Sequence, residues 1–289
     1  MTPPVDWRAR FDRFVAKKTA EAAGAVISPF ATEINRGDAP LRAIGNAWTE
    51  RAFDGPFYLS RAPAADLPST SLVFVRSREG NTVAKDPSSL GGGDADKHLV
   101  YEGLSRVAAD GVLGGAGTIR SGDIVLSVWR PELVELRAAI GAPRHPVQII
   151  ATLQGLAIED GLMFNVPELR VVVITVPRGA DAMRGALAAR PWITPLVMAS
   201  PSDLPRAFRQ LREAGIAVLS CIGGRTLGAA LLDAGLVQDL YLTTAARSGG
   251  EPGTPFYSRP LDTEEVVRKR GTGADDGVVF QHLRVRLVG

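Results

Sequence analysis

The pattern of apolar and polar positions changes near residue 71. From there on, short apolar runs of β type alternate with segments whose apolar residues recur at helical spacing. The runs predict strands at Ser71–Arg76, Gly111–Gly114, Val147–Thr152, Val171–Val176, Pro195–Ala199, Ile216–Ile222, Asp239–Ala245 and Val278–Val288. The helical spacings predict helices at Asp94–Ala109 with Asp94 as its cap, Ala180–Ala189, Asp203–Ala214 and Arg225–Ala234. Strands separated by helices predict an α/β fold with a mixed, mainly parallel sheet and helices on both faces.

Two ends of the chain depart from this regular alternation. Val278–Val288 (VVFQHLRVRLV) reads as an alternating strand, which is typical of an antiparallel strand with one wetter face. Before residue 71, Asp6–Ala23 predicts one helix, and closely spaced prolines and glycines then leave room only for short elements. We therefore expect residues 1–70 to be an N-terminal extension packed on the core, and residues 71–289 to form the main domain.

Composition excludes several classes of protein. The chain has 33 Lys and Arg against 31 Asp and Glu, a formal charge of +2, which argues against a general nucleic-acid binder. One cysteine excludes a disulfide scaffold, and three widely separated histidines offer no local metal pair. No apolar run approaches the span of a bilayer, and the polar N-terminus lacks a signal peptide. We expect a soluble cytoplasmic protein with a small-molecule partner, no membrane and no metal.

The most informative segment is Ala217–Leu232. A predicted buried strand ends at Gly223-Gly224, and a predicted helix starts immediately afterwards. Glycines permit close approach of a ligand, and a helix N-terminus presents free N–H groups, so the pattern favours an anion site to which Arg225 and Thr226 add donors. A tight turn with nothing bound is the alternative interpretation.

A second glycine loop follows the strand at Gly111. Its residues Gly115, Ala116, Gly117 and Thr118 begin like the dinucleotide fingerprint, which then fails at Arg120, and no lysine follows either loop as a Walker motif requires. Two loops of this kind in one sheet nevertheless suit a long, two-ended ligand such as a dinucleotide.

A third candidate stands just past the strand Val171–Val176. Thr175 and Arg178 supply a hydroxyl and a guanidinium for an adenosine phosphate, although a solvated arginine in a turn explains the pattern equally well. His98, His145, His282 and Cys221 are interpreted as structural or solvated residues.

In this order, the loops resemble the reductase (RibD C-terminal) domain of riboflavin-biosynthesis proteins, in the dihydrofolate-reductase-like superfamily. Ser77-Arg78-Glu79-Gly80 stands where that family has Ser-x-Asp-Gly, and Leu113–Thr118 resembles its V-G-x-G-T loop. Ile222–Asp239 resembles E-G-G followed by x-L-x-x-A-L-L-x-x-G-L-V-D-E, and Ser248–Phe256 resembles the family's late Gly-Gly…Pro-Phe segment. The likeness covers about residues 71–288. Two acidic positions differ: the early Asp is Glu79, and the carboxylate before Gly-Gly is Ile222.

The resemblance implies a dihydrofolate-reductase-like fold, a homodimer and an NADPH-dependent reductase. It implies that Gly115, Ala116, Gly117 and Thr118 line the nicotinamide side and the pyrophosphate, and that Thr175 and Arg178 face the adenosine 2′-phosphate. It also implies that Gly223, Gly224, Arg225, Thr226 and Leu227 hold the pyrophosphate, and that Glu79 is a hydrogen-bond partner or proton donor to substrate. A second hypothesis is a regulatory protein that kept the dinucleotide fold and lost turnover, which Ile222 favours.

Overall fold

A mixed sheet of ten strands organises the fold in a computed structural model that describes residues 5–37, 41–61, 64–84, 90, 92–119 and 123–286. The strand order is β1-β11-β12-β10-β4-β9-β5-β6-β7-β8. Every pairing from β10 to β8 is parallel, and the pairings β10–β12, β12–β11 and β11–β1 are antiparallel. The strands are β1 (Phe30–Asn35), β4 (Ser69–Arg76), β5 (Gly111–Gly115), β6 (Val147–Ala151), β7 (Val171–Thr175), β8 (Ile193–Val197), β9 (Val218–Cys221), β10 (Asp239–Thr244), β11 (Thr263–Gly271) and β12 (Val279–Val285). A separate hairpin joins β2 (Leu41–Ile44) and β3 (Phe57–Ser60).

Helices lie on both faces of this sheet. They are α1 (Trp7–Gly24), α2 (Ala47–Ala52), α3 (Gly93–Ala95), α4 (Ala116–Ile119), α5 (Pro131–Ala139), α6 (Pro177–Ala188), α7 (Leu204–Glu213) and α8 (Arg225–Asp233). Helix α3 continues directly as a π-helix, Asp96–Leu104. One face carries α7 and α8, whose Phe208 and Leu231 pack with Leu219 and Leu240. The other face carries the π-helix, whose Leu99 packs with Val73 and Tyr241 among others.

The predicted fold class is confirmed, and most predicted strands begin or end within two residues of the observed ones. The last strand is antiparallel to its neighbours, as its alternation indicates. Strand β11 was not predicted, because its sequence TEEVVRKRG is mostly charged and a bulge between Glu265 and Val267 breaks its alternation.

The predicted helix Asp94–Ala109 needs a correction. It is a short α-helical turn followed by a π-helix, a form that single-sequence periodicity does not distinguish from an α-helix. The prediction that Asp94 caps it is wrong. The residue at the cap position is Gly92, so no side chain caps the helix, and Asp94 lies within the first turn.

The first seventy residues contribute several contacts to the same body. Strand β1 extends the sheet beyond β11. Phe14 of α1 packs edge to face on Trp129, with ring centroids 5.5 Å apart. The hydroxyl of Ser60 donates to Oδ1 of Asp239, the first residue of β10, at 2.6 Å. Residues from the N-terminal segment therefore pack on the same sheet that carries the glycine loops.

Candidate functional site

The carboxyl ends of seven parallel strands lie along one edge of the sheet, which is where α/β proteins bind ligands. The two predicted glycine loops leave this edge from β5 and β9, which are hydrogen-bonded neighbours. The second is a loop, whereas in the first Gly115 ends β5 and residues 116–118 already belong to helix α4. Strand β7, which precedes Arg178, is two strands from β5, or about 10 Å at the usual spacing of strands. The three sequence-predicted segments therefore occupy one edge.

The two glycine loops touch each other at Gly223. A Cβ atom at Gly223 would lie 3.1 Å from Oγ1 of Thr118, and one at Gly115 would lie 4.0 Å from the carbonyl oxygen of Gly223. The N–H of Ile222 donates to the carbonyl of Leu113 at 2.9 Å, which continues the β9–β5 ladder up to the loops. A larger residue at Gly223 would close the narrow space between them.

Helix α8 begins where the second loop ends. Gly224 has φ +78°, a backbone conformation that residues with a side chain rarely adopt, and it is exposed. The N–H groups of Arg225, Thr226 and Leu227 have no acceptor within the helix, because helix geometry pairs the first one at Gly228 with Gly224. These N–H groups and the positive end of the helix dipole suit an anion.

Arg225 has a structural role at the same helix end. Its Nε donates to the carbonyl oxygen of Pro255 at 2.7 Å, which ties the loop after β10 to the start of α8. Its backbone N–H belongs to the first turn described above. One nitrogen of the guanidinium, Nε, is therefore engaged by the protein.

Thr175 and Arg178 have different surroundings. Thr175 is fully buried, and its hydroxyl lies under Gly179, where a Cβ atom would come within 2.1 Å of Oγ1. Arg178 is exposed in the first turn of α6. The Arg178 side chain is thus exposed at the carboxyl edge of the sheet, whereas the Thr175 hydroxyl lies inside the protein.

Glu79 holds two loops together. Its Oε2 accepts a hydrogen bond from Ser77 Oγ at 3.0 Å and from the N–H of Gly249 at 3.1 Å. Hydrogen bonding by Ser248, by backbone N–H groups and by Ser77 lowers the pKa of this exposed carboxyl to about 2. A group with that pKa is ionised at neutral pH, so this geometry disfavours Glu79 as a proton donor and favours it as an acceptor.

More hydrogen bonds join the segments that Glu79 connects. The N–H and the hydroxyl of Thr82 both donate to the carbonyl of Thr254 at 2.8 Å. The N–H of Glu251 donates to the carbonyl of Val83 at 2.8 Å, and Asn81 Nδ2 donates to the carbonyl of Gly249 at 3.0 Å. The loops after β4 and β10 therefore form a single wall beside the edge of the sheet.

Ile222 forms an apolar part of the same edge. It is 7% exposed and belongs to the core cluster that contains Val112, Leu126 and Ile150. A Cβ atom at Gly114 would lie 3.9 Å from its Cγ1. An apolar side chain therefore stands directly before Gly223, at the position where the family that this chain resembles has a carboxylate.

Asp96 was not identified from the sequence. It opens the π-helix, and its Oδ1 is buried without a hydrogen-bond partner among the described residues. Burial raises the pKa of Asp96 to about 6, and the Thr243 hydroxyl partly offsets that rise. An acidic residue at the start of a helix is ordinary in sequence, so only its burial distinguishes it.

The histidines and the cysteine lie within the core or against it. His98 Nδ1 lies 2.8 Å from Glu102, and His282 Nε2 lies 2.6 Å from Asp239, with both pairs buried. Cys221 is buried, and burial raises the pKa of its thiol to about 12. Among the described residues, no group of three or more His, Cys, Asp and Glu side chains is placed to hold a metal. A search of the same residues found no helix with the length and hydropathy that crossing a membrane requires.

A family model described as the RibD C-terminal domain matches residues 80–274 of this chain. No curated protein matches it in sequence. The match to the family therefore rests on a domain model that covers most of the main domain.

Several solved structures share the fold. A pyrimidine reductase-like protein from Corynebacterium diphtheriae gives a TM-score of 0.62 at 20% identity, covering 76% of this chain and 93% of that chain. RibD from Acinetobacter baumannii gives 0.60 at 20% identity, covering 76% of this chain and 58% of that one. A diaminohydroxyphosphoribosylaminopyrimidine deaminase/5-amino-6-(5-phosphoribosylamino)uracil reductase from Thermotoga maritima gives 0.53 at 17% identity, covering 76% and 57%. The chain thus spans little more than half of the latter two proteins.

Proposed function

Because this chain belongs to the RibD C-terminal domain family, we propose that it is an NADPH-dependent reductase of a small molecule that carries a C=N or C=O group. The observation that carries the proposal is the meeting of two glycine loops at Gly223 and Thr118, beside the open N-terminus of α8. A Cβ atom would occupy this cradle, which is the feature expected where a pyrophosphate approaches the backbone closely. The residues present therefore fit a dinucleotide.

Each loop has a part in holding that group. Gly115, Ala116, Gly117 and Thr118 line the nicotinamide side, and the first-turn N–H groups of α8 hold the pyrophosphate. Arg178, exposed two strands away from β5, faces the 2′-phosphate, and the buried Thr175 supports Gly179 beneath it. When bound, the nicotinamide supplies a hydride, and the protein's task is to orient the substrate and exclude water.

The substrate class follows from Ile222. A pyrimidine ribosylamine phosphate carries several donors, and each needs a partner once water is expelled. Ile222 accepts no hydrogen bond, and a buried donor left unpaired costs about 1–3 kcal/mol, up to roughly a hundredfold in specificity. We therefore propose a substrate with a less polar edge than the riboflavin-pathway pyrimidine. The same observation supports the second candidate, a dinucleotide-binding protein without turnover.

Two measurements separate these candidates. Isothermal titration of the full chain with NADPH tests the cofactor, and absence of binding to the folded protein rejects both candidates. NADPH oxidation is then followed with a pyrimidine ribosylamine phosphate, with dihydrofolate and with a panel of carbonyl compounds. Turnover of any of these supports the reductase, and binding without turnover supports the second candidate.

Complementation tests the substrate proposal directly. A strain that lacks the riboflavin-pathway reductase is expected not to grow without riboflavin when it expresses this chain at native levels. Full rescue, with turnover of the pyrimidine at an ordinary enzymatic rate, would show that Ile222 does not exclude that substrate. Sedimentation of the purified chain tests the homodimer that the family resemblance implies.

A further inference from the structure

The reduction proposed above consumes a proton as well as a hydride, and the candidate residues predicted from the sequence do not supply it. Glu79 is ionised and already accepts two hydrogen bonds. Ile222 is hydrocarbon. The described part of the chain holds one further carboxyl at this end of the sheet whose oxygen is buried without a partner, and it belongs to Asp96.

Asp96 lies at the boundary between the core and the edge of the sheet. The residue as a whole is partly exposed, whereas Oδ1 is buried. Its neighbour on the sheet is Thr243, the second-to-last residue of β10. Thr243 Oγ1 is also buried and makes no hydrogen bond of normal geometry among the described residues. Neither atom makes a hydrogen bond of normal geometry among the described residues, although the Thr243 hydroxyl is near enough to the Asp96 carboxyl to lower its pKa. A buried carboxyl that is so weakly bonded calls for an explanation in a ligand or a catalytic role.

Strand register places this pair on the same side of the sheet as Ile222. Thr243 stands opposite Val75 of β4, and Leu72 of β4 stands opposite Cys221 of β9. Because side chains alternate along a strand, Thr243, Val75 and Ile222 point to the same face. β4 is the one strand between β10 and β9, so the two ends lie about 10 Å apart. Ile222 and the pair of Asp96 and Thr243 therefore lie on either side of the carboxyl end of β4, on one face of the sheet.

The surroundings of Asp96 raise the pKa of its carboxyl above the usual value. Its own helix carries Asp94, Lys97 and His98, and His98 is paired with Glu102. The carboxylate of Asp275, from the turn before β12, lies against Gly93, and β10 contributes the Thr243 hydroxyl. Among the described residues no cation lowers the pKa of Asp96, and the Thr243 hydroxyl lowers it only partly. The group is therefore an acid that retains its proton up to about pH 6.

We propose that Asp96 is the general acid that protonates the heteroatom of the C=N or C=O group reduced at this site. The proposal rests on the reductase function proposed above. The hydride from the dinucleotide forms a C–H bond at the electrophilic carbon as the C=N or C=O π bond breaks. The O–H bond of Asp96 breaks, its proton bonds to the nitrogen or oxygen, and water then reprotonates the carboxylate.

The first test needs neither cofactor nor substrate. The γ-carboxyl carbon of Asp96 is followed by ¹³C NMR in the full chain, with D96N to assign the signal. We expect a midpoint near pH 6, against about 4 for exposed aspartates. Thr243→Val removes the hydroxyl that stabilises the carboxylate, so it raises this midpoint further. A midpoint near 4 overturns the proposal, whether or not a substrate is known.

The second test uses NADPH and whichever compound of the panel is reduced fastest. We expect the single-turnover rate of the parent protein to fall tenfold per pH unit above about pH 6. D96N is expected to lower the rate by roughly 10²- to 10⁴-fold and to abolish that pH dependence. D96E should restore part of the rate. T243V should move the pH at which the rate begins to fall to a higher value. The dissociation constant of NADPH should stay unchanged in all three variants.

The outcomes distinguish a failure of the general-acid proposal from a failure of the proposed reductase function. A D96N enzyme that keeps the parent rate and pH profile overturns the role of Asp96 alone. Absence of NADPH binding to the parent rejects the reductase and the general acid together. If D96N fails to fold, T243V decides: a rate that begins to fall at the same pH as in the parent protein overturns the proposal.

Discussion

Oε2 of Glu79 accepts the backbone N–H of Gly249 at 3.1 Å, which joins the loop after β4 to the loop after β10. Hydrogen bonding by the Ser248 side chain, together with this contact and the Ser77 hydroxyl at 3.0 Å, stabilises the ionised carboxyl and lowers its pKa. Glu79 therefore orders the wall of the site as an anion. A carboxyl that acts as a proton donor needs the opposite environment, and at Asp96 burial raises the pKa to about 6.

We predict that Glu79→Gln and Glu79→Ala affect substrate binding more than chemistry. Gln retains an oxygen for the Gly249 N–H, so its KM should stay within about threefold of the parent, whereas Ala loses the contact and should raise KM by roughly tenfold, as expected for one hydrogen bond. Steady-state kinetics across pH 5–9 check this. Loss of the parent pH dependence in the Gln variant would return the proton-donor role to Glu79.

We predict that Gly224→Asp abolishes NADPH binding, while Gly224→Asn retains part of it. Both residues strain a backbone with φ +78°, and a Cβ at this position meets nothing within 4 Å, so the two variants differ mainly in charge. The carboxylate of Asp would repel the pyrophosphate at the N-terminus of α8. Isothermal titration compares them, and equal affinities would place the pyrophosphate elsewhere.

We predict that Arg178→Ala lowers the preference for NADPH over NADH. A charge-assisted bond to the 2′-phosphate contributes about 1.5–3 kcal/mol, or roughly ten- to a hundredfold in affinity. Arg184 on the same helix is exposed and pairs with Asp181, so Arg184→Ala serves as the matched control and should change neither affinity. The ratio of the two dissociation constants is the measurement. A ratio that stays constant in Arg178→Ala would assign the phosphate to another residue.

We predict that Asp96→Asn stabilises the fold at pH 8. Burial raises the pKa of Asp96 in the folded state from 3.8 to about 6. The contribution of the protonated carboxyl to the free energy of unfolding is therefore fully present below pH 4 and is lost as pH rises through about 6. At 1.36 kcal/mol per pKa unit, this loss of unfolding free energy approaches about 3 kcal/mol. The Asn side chain of the variant does not ionise and therefore avoids it. Urea unfolding at pH 4 and pH 8 measures the difference. A stabilisation that is equal at both pH values would show that Asp96 titrates normally.

Much of the architecture is determined by the sequence itself. The β-branched runs that became β6 and β7 are apolar on both faces, which is the signature of strands buried in a parallel sheet, and their observed ends differ from the predicted ones by one residue. Gly215, after α7, has φ +89°, as its position at a predicted helix end requires. Such features depend on residues close together in the chain, so local pattern suffices to predict them.

The chemistry of the site depends on contacts between distant segments, which only the tertiary structure decides. Glu79 and Asp96 are both acidic residues in polar stretches of sequence. Ser248 and Gly249, about 170 positions away, hold the pKa of Glu79 low by hydrogen bonding, whereas burial raises the pKa of Asp96. A carboxyl's proton affinity is set by desolvation and by the donors around it, and neither is encoded in neighbouring residues. The sequence therefore determined the sheet and the two glycine segments, and the packing of the folded chain decided which carboxyl has the raised pKa.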